Sequence, residues 1–210
     1  MVLSELFSNP VGAILFLVSI VIAVSVHEFS HAKTADNLGD PTPKLQGRVT
    51  LDPRSHLDPM GSLLFLLFGF GWGKPVPYDP YNLKNPRKDA AMIALAGPMS
   101  NFGMAIGASI LLHIMGMQMA HTSIIGAFLS IFISTNLVLG VFNFVPVAPL
   151  DGFRIIGGLV SDDQAEEWYK LERYGFILLL FIILPFAGGR SILQTFISPV
   201  ISFLTGILIP

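Results

Sequence analysis

Residues 11–31 read VGAILFLVSIVIAVSVHEFSH, an apolar run that ends in two histidines and a glutamate. An α-helix places residues four apart on one face, so His27 and His31 can hold one metal ion between their imidazoles. Glu28 follows directly and is placed to take a proton from water at such a metal. Ionisable residues beside so long an apolar run are costly in a membrane and are usually functional. The stretch therefore predicts a membrane helix that carries a metal site.

A simpler interpretation of the same residues is open at this point. The pattern H-E-x-x-H is short, and on a soluble helix it often marks only a polar face. That interpretation gives no reason for placing Glu28 next to sixteen apolar positions, so the metal site is favoured.

Composition places the chain in a membrane. Of its 210 residues, 52% are hydrophobic and only 12% are charged, whereas soluble domains carry about 25% charged residues. The net charge of −2 gives no reason to expect nucleic acid as a partner. No Lys or Arg precedes Lys33, so we expect the first apolar segment to be retained rather than cleaved. Cysteine is absent, so any zinc must be held by nitrogen and oxygen, as is typical of catalytic sites.

Apolar segments recur along the chain, at 11–26, 60–72, 91–116, 124–145, 174–187 and 192–209. They predict an all-α polytopic membrane protein with about five to six transmembrane helices. The segment 60–72 is too short to cross and rich in glycine, which favours a re-entrant or interfacial segment. The region 36–90 is polar and rich in Pro and Gly, and short β elements are expected there. Its stretch LQGRVTL, residues 45–51, alternates loosely and is the candidate strand.

Positive charge predicts the orientation of the chain. Eight of the twelve Lys and Arg residues lie between positions 33 and 88. The positive-inside rule places 33–88 and 146–173 in the cytoplasm and 117–123 outside. The helices that end near residues 26 and 145 then end on the same side. A ligand near residue 150 could therefore reach the depth of the two histidines.

Asp151 is the favoured third metal ligand. It lies in NFVPVAPLDG, residues 143–152, where two prolines break the preceding helix and Gly152 permits a tight turn. An Asp at this position could instead cap the next helix. Asp52 and Asp58 are rival ligands, since they follow the first helix closely, but they lie in a polar segment.

The two spaced motifs together resemble the site-2 protease family of intramembrane metalloproteases. The similarity extends through GRVTLDP at 47–53, KPVP at 74–77 and AGPMSN at 96–101, and covers roughly residues 11–160. Ala148 departs from the resemblance, because relatives often carry proline there. No insertion is long enough for a PDZ or nucleotide-sensing domain, so the chain resembles a compact form.

The resemblance implies a zinc endopeptidase. It implies one Zn²⁺ per chain, bound by His27, His31 and Asp151, with Glu28 as general base. It further implies that transmembrane segments of other proteins are cleaved, usually toward the cytoplasmic side. We accordingly expect a multi-pass protein of the cell membrane whose partners are the lipid bilayer and a transmembrane substrate. We expect 1–210 to form one domain, with a catalytic core of about 11–160 and C-terminal helices over 171–210.

The sequence leaves the roles of several polar residues open. Asn143 is a catalytic candidate, as a donor to the oxyanion or to the substrate backbone, but it could equally satisfy a bond between helices. The latter role is favoured for Asn136, and Asn101 is equally ambiguous. His56 could support the site or lie at the membrane interface. The alternative function is a non-proteolytic protein that binds or transports a divalent metal, although transport would need polar groups spaced across the bilayer.

Overall fold

The structure, a computed structural model, describes residues 2–184, 189 and 191–210. It is 78% helical, and the described residues contain no β-strand. Helices follow one another along these residues: α1 Val2–Ser8, α2 Pro10–Asn37, α3 Thr42–Leu45, α4 Pro59–Phe68, α5 Pro86–Met115, α6 Met117–Thr122, α7 Ile124–Asn143, α8 Asp151–Leu159, α9 Asp162–Lys170, α10 Gly175–Ile183 and α11 Ile192–Leu208.

Three of the described helices, α2, α5 and α7, are long and apolar enough to cross a membrane. The apolar helices α4 and α11 are shorter. The prediction of a helical membrane protein is therefore confirmed, while a total of five to six spans is not. The end of the predicted segment 174–187 lies outside the described residues.

The long helices pack around α5, which contacts both α2 and α7 as well as the short helix α8. Small side chains on α5 allow this approach: Ala105 and Ala108 are buried against Leu129, Ile133 and Leu137 of α7. Small residues at helix interfaces permit close backbone packing, which drives association where the surroundings are themselves apolar.

The length of α2 determines where its histidines lie. Its N-terminus is fixed by Asn9, whose side chain accepts the Gly12 backbone N–H at 3.1 Å. His27 lies about 25 Å along the helix axis from Pro10 at 1.5 Å per residue. Both histidines therefore lie toward the far end of a helix that can span a hydrocarbon core roughly 30 Å thick.

The expected strand at 45–51 is not confirmed. Residues Thr42–Leu45 form one helical turn, and the chain then turns through Gly47 at φ +65°. That left-handed turn interrupts the extended backbone that the alternating pattern favoured. The β-type pairing here is an isolated antiparallel bridge between Leu57 and Gly73.

The 60–72 segment doubles back on itself. Helix α4 has ten residues, about 15 Å in length, and ends at Gly69 with φ +76°. The returning chain lies so close that a Cβ on Gly61 would be 2.2 Å from the carbonyl oxygen of Trp72. This short hairpin agrees with the expectation of a segment that does not cross, and it returns the chain to the level of Glu28.

Candidate metal centre

Three side chains from distant parts of the chain converge on one point. Nε2 of His27 lies 3.0 Å from Nε2 of His31. Oδ2 of Asp151 lies 3.1 Å from the first nitrogen and 3.3 Å from the second. The two histidines are one turn apart on α2, and Asp151 is the first residue of α8.

The turn between α7 and α8 aims Asp151 at α2. Gly152 packs so tightly against this turn that a Cβ there would be 2.4 Å from the carbonyl oxygen of Phe144. Helix α8 then runs against α5. This loop brings Asp151 to the depth of the two histidines of α2.

Hydrogen bonds fix which nitrogen of each imidazole carries the proton. Nδ1 of His31 lies 2.6 Å from the carbonyl oxygen of Ile93, which can only accept. Nδ1 of His27 lies 2.7 Å from Oδ1 of Asn101. The amide nitrogen of Asn101 donates to the carbonyl oxygen of Ala23, so its oxygen faces His27. Both Nδ1 atoms are therefore donors, and both Nε2 atoms of the neutral rings keep a free lone pair.

This cluster of acceptors fits a divalent cation. Oδ2 of Asp151 is buried and has no hydrogen-bond partner among the described residues. Leaving a buried acceptor unpaired costs about 1–3 kcal/mol. Ligands about 2.1 Å from a tetrahedral zinc are separated by about 3.4 Å, close to the observed spacing of the three atoms. Two nitrogens and one oxygen with a fourth position left open are the donor set of catalytic zinc.

The carboxylate of Asp151 is ionised in this setting. A carboxyl group is a much stronger acid than an imidazolium, so the Asp151 side chain stays anionic at neutral pH beside the two neutral rings. An anionic oxygen beside two neutral nitrogens is what a cation requires.

The backbone of α5 forms one wall of the centre at Gly97. A Cβ on this residue would be 2.5 Å from Nε2 of His31 and 2.7 Å from Cε1 of His27. No side chain fits there without displacing both rings. The sequence pattern assigned no role to Gly97. The signal that could have identified it is a glycine directly before Pro98 inside an apolar helix.

Two buried amides connect the centre to α7. Nδ2 of Asn101 donates to Oδ1 of Asn136 at 2.9 Å, and Nδ2 of Asn136 donates to the Phe132 carbonyl at 2.9 Å. Both asparagines are fully buried. Asn136 thus bonds between helices, as the sequence favoured, while Asn101 contacts His27 directly.

Glu28 lies beside the triad, partly buried, one residue around α2. Its Oε1 would be 3.6 Å from a Cβ on Gly73, so the chain returning from α4 passes close to the carboxylate. Because position 73 is a glycine, it adds no side chain of its own next to Glu28.

The remaining candidates lie elsewhere. The rivals Asp52 and Asp58 accept backbone N–H groups and cap the short helical segments that follow them. Asn143 is partly buried at the end of α7, where Nδ2 donates to the Leu139 carbonyl at 3.0 Å. His56 is fully buried in the protein, and its Nε2 lies 2.7 Å from the Thr50 carbonyl.

Comparison with known proteins identifies the family. The sequence pattern of peptidase family M50 matches residues 111–183, which include Asp151. A Bacillus subtilis (strain 168) protein named "Putative zinc metalloprotease YwhC" is 40% identical over 196 residues, covering 86% of this chain and 90% of that protein. The chain belongs to peptidase family M50. The resemblance inferred from its motifs is thereby confirmed, and this M50 chain is a peptidase.

More distant relatives carry similar names. "Putative zinc metalloprotease Rip2" of Mycobacterium tuberculosis (strain H37Rv) is 29% identical over 174 residues, covering 78% of this chain and 64% of that protein. Its namesake in Mycolicibacterium smegmatis is 27% identical over 189 residues, covering 84% and 69%. No solved structure matches the chain.

Proposed function

We propose that this M50 peptidase is an intramembrane zinc endopeptidase, which hydrolyses peptide bonds in or near transmembrane segments of other proteins. The convergence of His27, His31 and Asp151 carries the proposal, because two of them lie on a helix long enough to cross a membrane. The names of the relatives, which specify zinc metalloproteases, support the choice of metal. The partners would be the bilayer and a transmembrane substrate.

The triad would hold one zinc ion per chain. When bound, zinc supplies Lewis acidity, which lowers the pKa of a coordinated water and polarises a carbonyl group. The chain supplies the orientation: Asn101 and the Ile93 carbonyl accept from the Nδ1–H groups and keep both Nε2 atoms directed at the centre. Such outer hydrogen bonds also increase the basicity of a ligating histidine.

Glu28 would act as the general base. Its carboxylate accepts a proton from the attacking water and returns it to the nitrogen of the leaving amine. Asn143 would then donate to the carbonyl oxygen that becomes negatively charged, or to the substrate backbone. Its Nδ2 carries two N–H groups, so one can stay bonded to the Leu139 carbonyl while the other donates to the substrate.

Helical substrates pose a further requirement. The carbonyl groups of a transmembrane helix are bonded within the helix, so the helix must be unwound around the scissile bond before attack.

The proposed location is the cell membrane, with the site toward the cytoplasm. The lysine- and arginine-rich segment 33–88 supports this orientation.

The test compares wild-type protein with Glu28→Gln in detergent, measuring bound metal and cleavage of a model transmembrane substrate. The wild type should hold about one zinc and cut, while the variant keeps zinc and loses at least about 100-fold in kcat, the usual range for a lost general base. Glu5→Gln is the matched control, since Glu5 is exposed on α1 far from the triad along the chain.

Other results would redirect the proposal. Unchanged cleavage by Glu28→Gln would remove Glu28 as base. Zinc binding without cleavage of any membrane segment would favour the metal-binding or transport function instead. Wild-type protein that takes up no zinc would reject the centre.

A further inference from the structure

Arg48 is a buried cation outside the metal centre. Only 3% of its surface is exposed, although it lies in a polar connecting segment. Its Nη1 donates to the carbonyl oxygen of Pro75 at 2.8 Å, and its Nη2 donates to that of Lys74. The planar guanidinium thus grips two consecutive carbonyl groups, a geometry that the single ammonium of a lysine cannot reproduce.

The segment gripped by Arg48 is the one that passes Glu28. The Lys74 backbone N–H donates to the His56 carbonyl at 2.7 Å, and Gly73 forms the bridge to Leu57. A Cβ on Gly73 would be 3.2 Å from the His56 carbonyl oxygen and 3.6 Å from Oε1 of Glu28. The backbone at 73–75 is therefore held on one side by Arg48 and His56 and adjoins the carboxylate.

Charge links Arg48 to the same carboxylate. Burial lowers the pKa of Arg48, and the negative charge of Glu28 opposes that shift. Burying a guanidinium is costly unless its hydrogen bonds and a counter-charge compensate. Two backbone carbonyls of one short segment pair with Nη1 and Nη2, and the charge of Glu28 favours the cation, while Nε has no hydrogen-bond partner among the described residues.

We propose that Arg48 is a positioning residue of the peptidase, which fixes residues 73–75 beside Glu28 and so sets the space in which the scissile peptide meets the base. The inference rests on the proposed role of Glu28. Without Arg48, the carbonyls of Lys74 and Pro75 lose their donors and the segment moves. Displacement of a neighbouring segment by about 1 Å can cost about 100-fold in rate.

The kinetic test uses Arg48→Gln and Arg48→Lys, with Arg54→Gln as matched control. Arg54 is an exposed arginine of the same connecting region. We expect Arg48→Gln to keep its zinc but to lose about 100-fold in kcat/KM, the cost of such a misplacement. Most of the loss should appear in kcat, and Arg48→Lys should recover part of it because the charge remains.

A second test does not depend on activity. The chain has no cysteine, so Lys74→Cys introduces a single thiol for a nitroxide label on an exposed side chain. Arg48→Gln should increase the mobility of this label several-fold, whereas Arg54→Gln should leave it unchanged. This result would stand even if the wild-type protein cleaved nothing, which separates it from the proposed function.

Two results would overturn the inference. One is an immobile label in both Arg48 variants, which would show that other contacts hold the segment. The other is a label that becomes mobile while kcat/KM stays within twofold of wild type, because the position of the segment would then not matter to Glu28.

Discussion

Gly97 shows how much depends on a missing side chain. The α5 backbone approaches both imidazoles of α2 so closely that even a methyl group would overlap them. The rings cannot retreat freely, because each is held through Nδ1. A packing requirement of one residue thus controls the geometry of the whole centre.

We predict that Gly97→Ala abolishes zinc binding and proteolysis, since the new methyl group displaces His31 and His27 from their common point. Zinc content by atomic absorption is the primary measurement. Gly103→Ala on the same helix is the control, because a Cβ there meets nothing within 4 Å. Full zinc content in Gly97→Ala would mean that the rings can be rearranged at little cost.

The hydrogen-bonded pair of Asn101 and Asn136 predicts that two substitutions weaken zinc binding to different extents. Asn101→Leu removes the acceptor of the His27 Nδ1–H and should weaken zinc binding about 10- to 100-fold, as is typical of such outer partners. Asn136→Leu should cost less, because Asn136 reaches His27 only through Asn101. Competition with a chelator measures both affinities. A larger loss in Asn136→Leu would contradict this order.

The sequence identifies the residues whose spacing is distinctive and misses those whose role depends on how the helices pack together. His27, His31 and Asp151 followed from helical periodicity and from the direction of two helices. The contacts of Gly97 and Asn101 with the imidazoles arise only when α5 packs against α2, and no local pattern reports that packing. Asp52 and Asp58 remained rivals because their capping bonds are equally invisible in the sequence.

At the scale of elements, Asp40 anchors the connection between α2 and α5. Its Oδ1 accepts from Thr42 and from Nδ2 of Asn82, and its Oδ2 accepts the Asp79 backbone N–H at 2.8 Å. These bonds join the start of the 38–85 connection to its end. The prediction of a strand in part of this connection was wrong, because turns and hydrogen bonds from side chains, rather than a ladder of β-sheet hydrogen bonds, organise its backbone.

We predict that Asp40→Asn lowers the free energy of unfolding by about 1–3 kcal/mol, because its amide group opposes the Asp79 N–H. Asp36→Asn is the control, since its exposed pair with Lys33 is worth less than about 1 kcal/mol. Thermal unfolding in detergent and limited proteolysis within 38–85 measure the effect. Equal losses in both variants would argue against an anchoring role.

Asp40 also predicts a dependence on acid. Burial raises its pKa, but the hydrogen bonds from Thr42, Asn82 and Asp79 outweigh this and hold the pKa below its usual value. The stabilisation is therefore complete above the unfolded pKa of about 3.9 and is lost as the pH falls through the folded value. Proteolysis of the connection should increase only below about pH 4, and Asp40→Asn should lack this dependence.

For the whole molecule, charge predicts which side of the membrane each connection faces. Single cysteines at Gln118 and Lys84, both exposed, can be tested with a membrane-impermeant maleimide in intact cells. We expect labelling at 118 without permeabilisation and at 84 only after it. The reverse pattern would place the metal centre toward the outside.

The triad joins the first long helix to the loop beyond the third, across most of the chain. Because the sequence has no cysteine, a metal held at this junction would also act as a reversible cross-link. A ligand that binds only the folded state stabilises it by RT ln(1 + c/Kd), where c is the free ligand concentration, so the stabilisation grows with the logarithm of that concentration. Loss of zinc would then destabilise the helix bundle as well as abolish the activity. The availability of the metal would therefore set the lifetime of the protein.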